Sequence, residues 1–143
     1  MNGDGYVDLA VGVPLEAIGS RQAAGAVVLL KGSAHGLSGT GAQALSQDSA
    51  GVPGVAEAND RFGSAVRLLD ITGDRRAELA ISAPQENGSG AVWSLRGTAT
   101  NGLTATGSVA VDPTAFGAPT AEALLGARFA NATGNAFDYL GEK

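Results

Sequence analysis

The hydrophobic positions of this chain fall into short runs that are separated by polar, glycine-rich segments. Leu9, Val11 and Val13 alternate with small residues, and a period of two is typical of a β-strand with one buried face. Apolar residues also fill residues 25–32 and 90–97 between flanking glycines, which indicates buried strands. The sequence therefore predicts an all-β chain of short strands.

Three more strands are predicted from similar patterns, at residues 62–69, 78–84 and, as a weaker edge strand, 43–48. Residues 33–42 are rich in turn-forming residues and are predicted to form a loop. A helical pattern is confined to residues 120–128, but an internal repeat of the sequence predicts a strand from Leu125 onward instead.

The second half of the chain repeats the first at an offset of about 65 to 70 residues. The matching pairs are residues 8–14 with 78–84, 25–32 with 90–97, and 62–66 with 125–129. Units of this length, made of short strands and glycine-rich joins, bury their faces against neighbouring units rather than alone. Four strands per unit and little helical pattern favour the blades of a β-propeller.

An oxygen-rich turn precedes the first strand. Asn2, Asp4 and Asp8 offer side-chain oxygens at alternating positions, and such hard oxygen ligands are those that Ca²⁺ prefers. Gly3 and Gly5 permit the left-handed backbone angles that a loop around one ion requires. A strand follows the turn where an EF-hand would continue into a helix, so the turn is not an EF-hand. The plain alternative is an ordinary Asn-Gly and Asp-Gly turn without metal.

Taken in order, these segments resemble the FG-GAP repeat of integrin alpha-subunit propellers and of related secreted bacterial proteins. The resemblance extends to about residue 130, and it rests on five short motifs in the family's order: Phe62-Gly63, Gly12-Val13-Pro14, Ser82-Ala83-Pro84, Gly25-Ala26-Val27 and Gly90-Ala91-Val92. It implies an all-β fold of propeller blades, each with four antiparallel strands.

The resemblance also implies a permuted pair of blades, because the chain starts at the second strand of a unit. Blade repeat A comprises about residues 1–60 and is completed by residues 125–130, while blade repeat B comprises about residues 61–124. Propellers have roughly four to eight blades, so two blades do not close a ring in the ordinary way. We therefore expect a head-to-tail homo-oligomer in which copies of the chain exchange a strand.

By the same resemblance, each unit carries one calcium loop. In the first and better loop the ligands are Asn2, Asp4, the carbonyl of Tyr6, and Asp8. In the second, degenerate loop they are Asp70, Thr72, Asp74, the carbonyl of Arg76, and Glu78. Arg75 stands where the family has glycine, so we expect this loop to bind calcium weakly or not at all. We expect Arg75 or Arg76 to pair there with Asp70 or Asp74.

The composition of the chain excludes several kinds of functional site. The chain has 143 residues, a net charge of −5 and no cysteine, so it has no disulfide, thiolate metal site or cysteine nucleophile. It lacks a basic patch for nucleic acid, an apolar run long enough for membrane insertion, and a signal-peptide pattern. Ser64 and Ser82 have no paired His and Asp, and His35 is predicted to be a turn residue. We therefore predict that the chain is not an enzyme.

The function predicted from these features is a non-enzymatic, calcium-binding propeller segment. It would assemble as a homo-oligomer and serve cell adhesion, the binding of a protein or glycan ligand, or a scaffold role. The parent family is extracellular. Two alternatives stay open: an accessory propeller segment of a secreted hydrolase, and a purely structural assembly unit. Residues 133–137 also resemble the start of a third calcium loop, and no structure is predicted for residues 131–143.

Overall fold

The computed structural model of the protein describes residues 1–100 and 102–129. These residues form seven β-strands and two short 3-10 helices, and no α-helix is found among them. The strands are β1 (Leu9–Val13), β2 (Ala26–Lys31), β3 (Ser38–Leu45), β4 (Val66–Leu69), β5 (Glu78–Ala83), β6 (Ala91–Thr98) and β7 (Gly102–Val111). The 3-10 helices are Glu86–Gly88 and Pro113–Phe116.

The strands form two antiparallel sheets in which sequence neighbours pair. One sheet has the order β1-β2-β3 and the other the order β4-β5-β6-β7. This arrangement confirms the predicted all-β class. Among the described residues, the first sheet contains no strand equivalent to β4, so one edge of β1 is unpaired there.

The repeat predicted from the sequence is present in the pairing register. Leu9 lies opposite Leu30 in the first sheet, as Leu79 lies opposite Leu95 in the second. The ladder to the next strand shifts register just after Leu29 in the first sheet and just after Ser94 in the second. The two sheets therefore use the same strand geometry, including the same irregularity, at corresponding positions.

Four predicted strands, at residues 9–13, 25–32, 78–84 and 90–97, are confirmed as β1, β2, β5 and β6. The edge strand predicted at 43–48 is displaced, because β3 runs over residues that were predicted to be a loop. Its sequence, SGTGAQAL, is small and polar because most of its side chains face solvent. Pairing with β2, rather than local apolar pattern, makes this segment a strand.

Two further expectations need correction. The strand predicted at 62–69 begins only at Val66, because Gly63 turns the chain with a positive φ of 89°. The strand predicted at 125–130 is not formed by its described part: Leu125 and Gly126 form a turn, and residue 130 lies outside the described residues. Residues 120–128 form no helix. The expectations for residues 131–143 also lie outside the described residues.

One hydrophobic core joins the two sheets. Val27 and Leu29 of the first sheet and Ile81 and Trp93 of the second are all buried in the same cluster. Phe62, on the connection between the sheets, meets Trp93 edge to face, with ring centroids 5.2 Å apart. The sheets are thus packed as neighbouring units around shared side chains.

Candidate calcium loops and the junctions between the sheets

Loop A, residues 2–8, forms a compact turn before β1. The carboxylate of Asp4 accepts a hydrogen bond from the backbone N–H of Tyr6 at 3.0 Å and another from the amide of Asn2 at 2.7 Å. The bond from Tyr6, followed by that from Asn2, holds the pKa of Asp4 below its usual range. Asp4 is therefore an ionised, exposed carboxylate at the tip of the turn.

Asp8 lies at the other end of loop A, and its side chain is buried. One of its carboxylate oxygens pairs with the amine of Met1, and the other accepts the backbone N–H of Gly32 at 3.0 Å. Asp8 therefore ties loop A both to the start of the chain and to the end of β2.

Loop B, residues 70–78, directs its carboxylates toward N–H groups. Asp70 accepts the backbone N–H groups of Gly73, Asp74 and Arg75 at 2.7, 3.1 and 2.8 Å. Glu78, only 4% exposed, accepts those of Ile71 and Thr72 at 2.8 and 3.2 Å. These contacts fold the loop by its own backbone amides.

The remaining carboxylate of loop B, that of Asp74, pairs with an arginine. Asp74 accepts the backbone N–H of Arg76 at 2.8 Å and also pairs with its guanidinium at 2.8 Å. These two contacts, in that order, hold the pKa of Asp74 below its usual range. The predicted pairing of an arginine with Asp74 is confirmed, and Arg75 adopts a left-handed φ of 67°.

The two loops differ in how well they fit a cation. Loop B does not fit, because backbone amides and a guanidinium already satisfy its carboxylates. Loop A has no basic side chain of its own and offers amide, carboxylate and carbonyl oxygens, the donor types that Ca²⁺ takes. Its carboxylates are bonded too, Asp4 to Asn2 and Tyr6 and Asp8 to the Met1 amine and Gly32, so an ion would have to replace these contacts. No group of three His, Cys, Asp or Glu side chains suited to a metal was found among the described residues.

Loop A and loop B lie against each other. A Cβ atom added to Gly3 would be 3.2 Å from the carbonyl oxygen of Arg75 and 3.4 Å from Cγ of Arg76. A cavity of about 460 Å³ lies between the loops, with Gly5 and Asp70 in its wall. Successive repeats therefore place their loops on the same side of the molecule.

A second recurrent feature is the turn that enters each unit. Phe62 donates its backbone N–H to the carbonyl of Ala24 at 2.9 Å and lies against Gly25, where a Cβ atom would be 2.2 Å from its carbonyl oxygen. Leu125 donates in the same way to Ser89, also at 2.9 Å, and lies against Gly90. Each entering turn is thus docked on the sheet that precedes it.

The glycine of each entering turn completes this docking. A Cβ atom on Gly12 would lie 1.9 Å from the carbonyl oxygen of Gly63, and one on Gly126 would lie 2.5 Å from Cβ of Ser82. Gly12 and Ser82 hold the same position in the two repeats. The close approach of each turn to the strand beside it explains why small residues recur at these positions.

An acidic cluster that the sequence did not reveal lies at the junction between the sheets. The amide of Gln47 donates to the carboxylate of Glu86 at 2.6 Å, and Asp60, 3% exposed, accepts the backbone N–H of Glu57 at 2.6 Å. Burial, more than the neighbouring carboxylates, raises the pKa of Asp60 and of Glu86. The oxygen of the Gln47 amide has no hydrogen-bond partner among the described residues.

Of the residues considered for catalysis, Ser64 and Ser82 are neighbours, because the backbone N–H of Ser64 donates to the carbonyl of Ser82 at 3.2 Å. His35 is exposed in a turn, where its backbone N–H donates to Ser33 at 3.2 Å. Ser64 donates to the carbonyl of Arg61, and the buried hydroxyl of Ser82 accepts the N–H of Ala65. Within residues 1–100 and 102–129, no helix is long and apolar enough to cross a membrane.

Comparison with known proteins agrees with the geometry of the two units. The model of the FG-GAP repeat matches residues 1–30 and 62–95, which hold both loops and the strands after them. The phosphatidylinositol-glycan-specific phospholipase D of Bos taurus is 37% identical over 84 residues, which are 59% of this chain and 10% of that protein. The chain thus spans about a tenth of the length of this curated relative. The resemblance stated from the sequence is confirmed.

Proposed function

From the two FG-GAP repeats that this chain carries, we propose that it is a non-catalytic, calcium-binding segment of a β-propeller. Its blades present loops to a protein or glycan ligand or serve as a scaffold in adhesion, and copies of the chain associate with one another. FG-GAP proteins are typically extracellular or secreted, which supports the same location for this one.

The observation that carries the proposal is the pair of equivalent junctions at Phe62 and Leu125. Each turn binds the preceding sheet through the same backbone hydrogen bond and the same glycine contact. A unit that docks on its predecessor in a constant way builds a radial array, and a propeller is such an array.

The calcium part of the proposal concerns loop A. Asn2, Asp4 and Asp8 would hold the ion with their side chains and Tyr6 with its carbonyl. The ion would neutralise the two carboxylates and stiffen the turn that precedes β1. Loop B would stay without metal, because the Arg76 guanidinium already supplies a positive charge to Asp74.

Terbium luminescence of the full chain tests this assignment. Tb³⁺ replaces Ca²⁺ at oxygen sites, and Tyr6, which lies within loop A, would serve as its sensitiser. We expect emission that calcium competes away and that D4N abolishes, while D74N, its counterpart in loop B, leaves it unchanged. Equal loss in both variants, or emission that survives D4N, would contradict a site in loop A.

A second candidate, an accessory segment of a secreted hydrolase, is favoured by the match to the phospholipase D of Bos taurus. In this case the catalytic residues lie in another part of a longer protein, and the repeats support or orient that part. The chain alone would then show no phosphodiester hydrolysis, and joining it to a hydrolase domain would raise that domain's turnover. A turnover that is the same with and without the repeats would exclude the accessory role.

A further inference from the structure

A small cavity opens at the junction between the two sheets, next to the acidic cluster. Its apolar wall includes Pro53 of the connection after β3, Trp93 of β6 and Ala110 of β7. The polar part of its wall includes Glu86 and Asp112. The cavity has a volume of about 120 Å³, whereas sites for drug-sized ligands have about 300–1,000 Å³, so it fits a group no larger than one side chain.

The charge around this cavity is negative. Glu86 and Asp112 lie in its wall, and the carboxylates of Asp60 and Glu57 are close enough to Glu86 to disfavour its ionisation. Among the described residues, none of these four carboxylates pairs with a basic side chain, and no basic side chain lines the cavity. The junction therefore holds more negative charge than the side chains around it balance.

A buried hydrogen-bond acceptor beside Glu86 lacks a donor. Gln47 is only 1% exposed, and its amide nitrogen donates to Glu86 at 2.6 Å and to the carbonyl of Val55 at 3.4 Å. The oxygen of the same amide is buried and has no hydrogen-bond partner in the described part of the chain. Leaving a buried acceptor unpaired is unfavourable. The site is therefore short of hydrogen-bond donors as well as of positive charge.

We propose that the cavity binds a primary alkylammonium group, with its nitrogen at Glu86 and its methylene groups on the wall formed by Trp93 and Ala110. An ammonium supplies one positive charge and three N–H donors, which are what the site lacks. The apolar wall favours an aliphatic cation over a bare metal ion, because methylene groups pack against apolar surface while the charged end stays at a polar group. This inference rests on the proposed ligand-binding role of the segment and names the chemistry of its ligand.

The fluorescence of the full chain tests the proposal, because Trp93 is its only tryptophan and lies in the cavity wall. At neutral pH we expect a saturable change with n-butylamine and none with n-butanol, its uncharged counterpart. E86Q should weaken the binding of n-butylamine by about tenfold or more, because a hydrogen bond between charged groups is lost. E16Q, at an exposed position, is the matched control and should bind as the wild type does.

Isothermal titration calorimetry of the same pairs detects binding that does not alter the tryptophan. Equal responses to n-butylamine and n-butanol would overturn the proposal, as would unchanged binding by E86Q or the absence of binding in both measurements. Terbium emission from loop A tests the calcium part of the proposed function separately, since E86Q leaves Asp4 in place.

Two further probes separate the sources of the ammonium group. The amide of Nα-acetyl-lysine presents it as a protein side chain does, and 1,4-diaminobutane presents it as a free polyamine does. Tighter binding of the lysine derivative would assign the cavity to a lysine of a protein ligand, and tighter binding of the diamine would assign it to a polyamine. Either result supports the ammonium site, and failure of both probes to compete with n-butylamine would overturn it.

Discussion

Phe62 and Leu125 hold the same place in successive repeats, each donating its backbone N–H at 2.9 Å to the residue that precedes a glycine of the sheet before it. The acceptors are Ala24 and Ser89, and the glycines that follow them lie directly against the entering turn. The side chains at this place differ, phenyl in one repeat and isobutyl in the other. The backbone contact, rather than the aromatic ring, is thus the constant part of the junction.

This relationship predicts that the glycine under the turn is essential to stability. G25A would place a Cβ atom 2.2 Å from the carbonyl oxygen of Phe62, at a residue whose φ is 91°. We expect a loss of about 2–4 kcal/mol in the free energy of unfolding, measured by urea denaturation. G19A is the control, since Gly19 also has a positive φ but nothing lies within 4 Å of its Cβ position.

The control G19A separates the clash of the added methyl group from the strain of a positive φ. G19A should cost only about 1 kcal/mol, the strain of a left-handed residue. If G25A costs no more than G19A, then the junction yields to an added methyl group and Gly25 is not held in close contact with Phe62.

The sequence predicts the buried strands, because burial requires apolar residues at their inward-facing positions. β2 and β6 carry apolar residues because their inward-facing side chains, Val27 and Leu29 in β2 and Trp93 and Leu95 in β6, are buried in the core. The sequence does not predict β3 at its observed position. A strand that is mostly exposed needs only the hydrogen bonds of its partner strand, and a sequence such as SGTGAQAL carries no sign of them. The apolar pattern at Phe62 predicts a strand because such a pattern does not distinguish a docked turn from a strand.

The two loops could be predicted from the sequence, but the acidic cluster between the sheets could not. Each loop draws its ligand candidates from nearby positions, so the sequence shows them together, down to the pairing of an arginine with Asp74. Gln47 and Glu86 are 39 residues apart and meet only because the sheets pack. Long-range contacts of this kind leave no local pattern in a single sequence.

The acidic cluster at the junction predicts a pH dependence of stability. The pKa of Glu86 is raised above its ordinary value of 4.5, so the folded state binds its proton more tightly than the unfolded state does. The resulting stability is present below about pH 4 and is lost as the pH rises through the raised value. The groups that act on Glu86 are Asp60, Glu57 and Gln47, of which Gln47 alone favours ionisation.

The variant E86Q isolates this effect. It keeps an oxygen for the Gln47 amide and removes the charge that burial disfavours, so it should be more stable than the wild type at neutral pH and similar in acid. Denaturation measured across pH 4–7 should show the difference growing with pH. E16Q, at an exposed position, is the control and should follow the wild type. A difference that stays constant with pH would show that Glu86 is not the group that titrates.

The last prediction concerns why loop B would lack metal. Loop A has glycine and tyrosine at the positions that Arg75 and Arg76 hold in loop B. The double substitution R75G/R76Y should relieve the left-handed arginine and free Asp74 from its guanidinium. Made in a D4N background, it should create terbium luminescence that calcium competes away, with the new tyrosine as sensitiser. The control R75G/R76K retains a cation beside Asp74 and should not bind. If R75G/R76Y folds but binds no ion, the arginine charge is not what excludes metal from loop B.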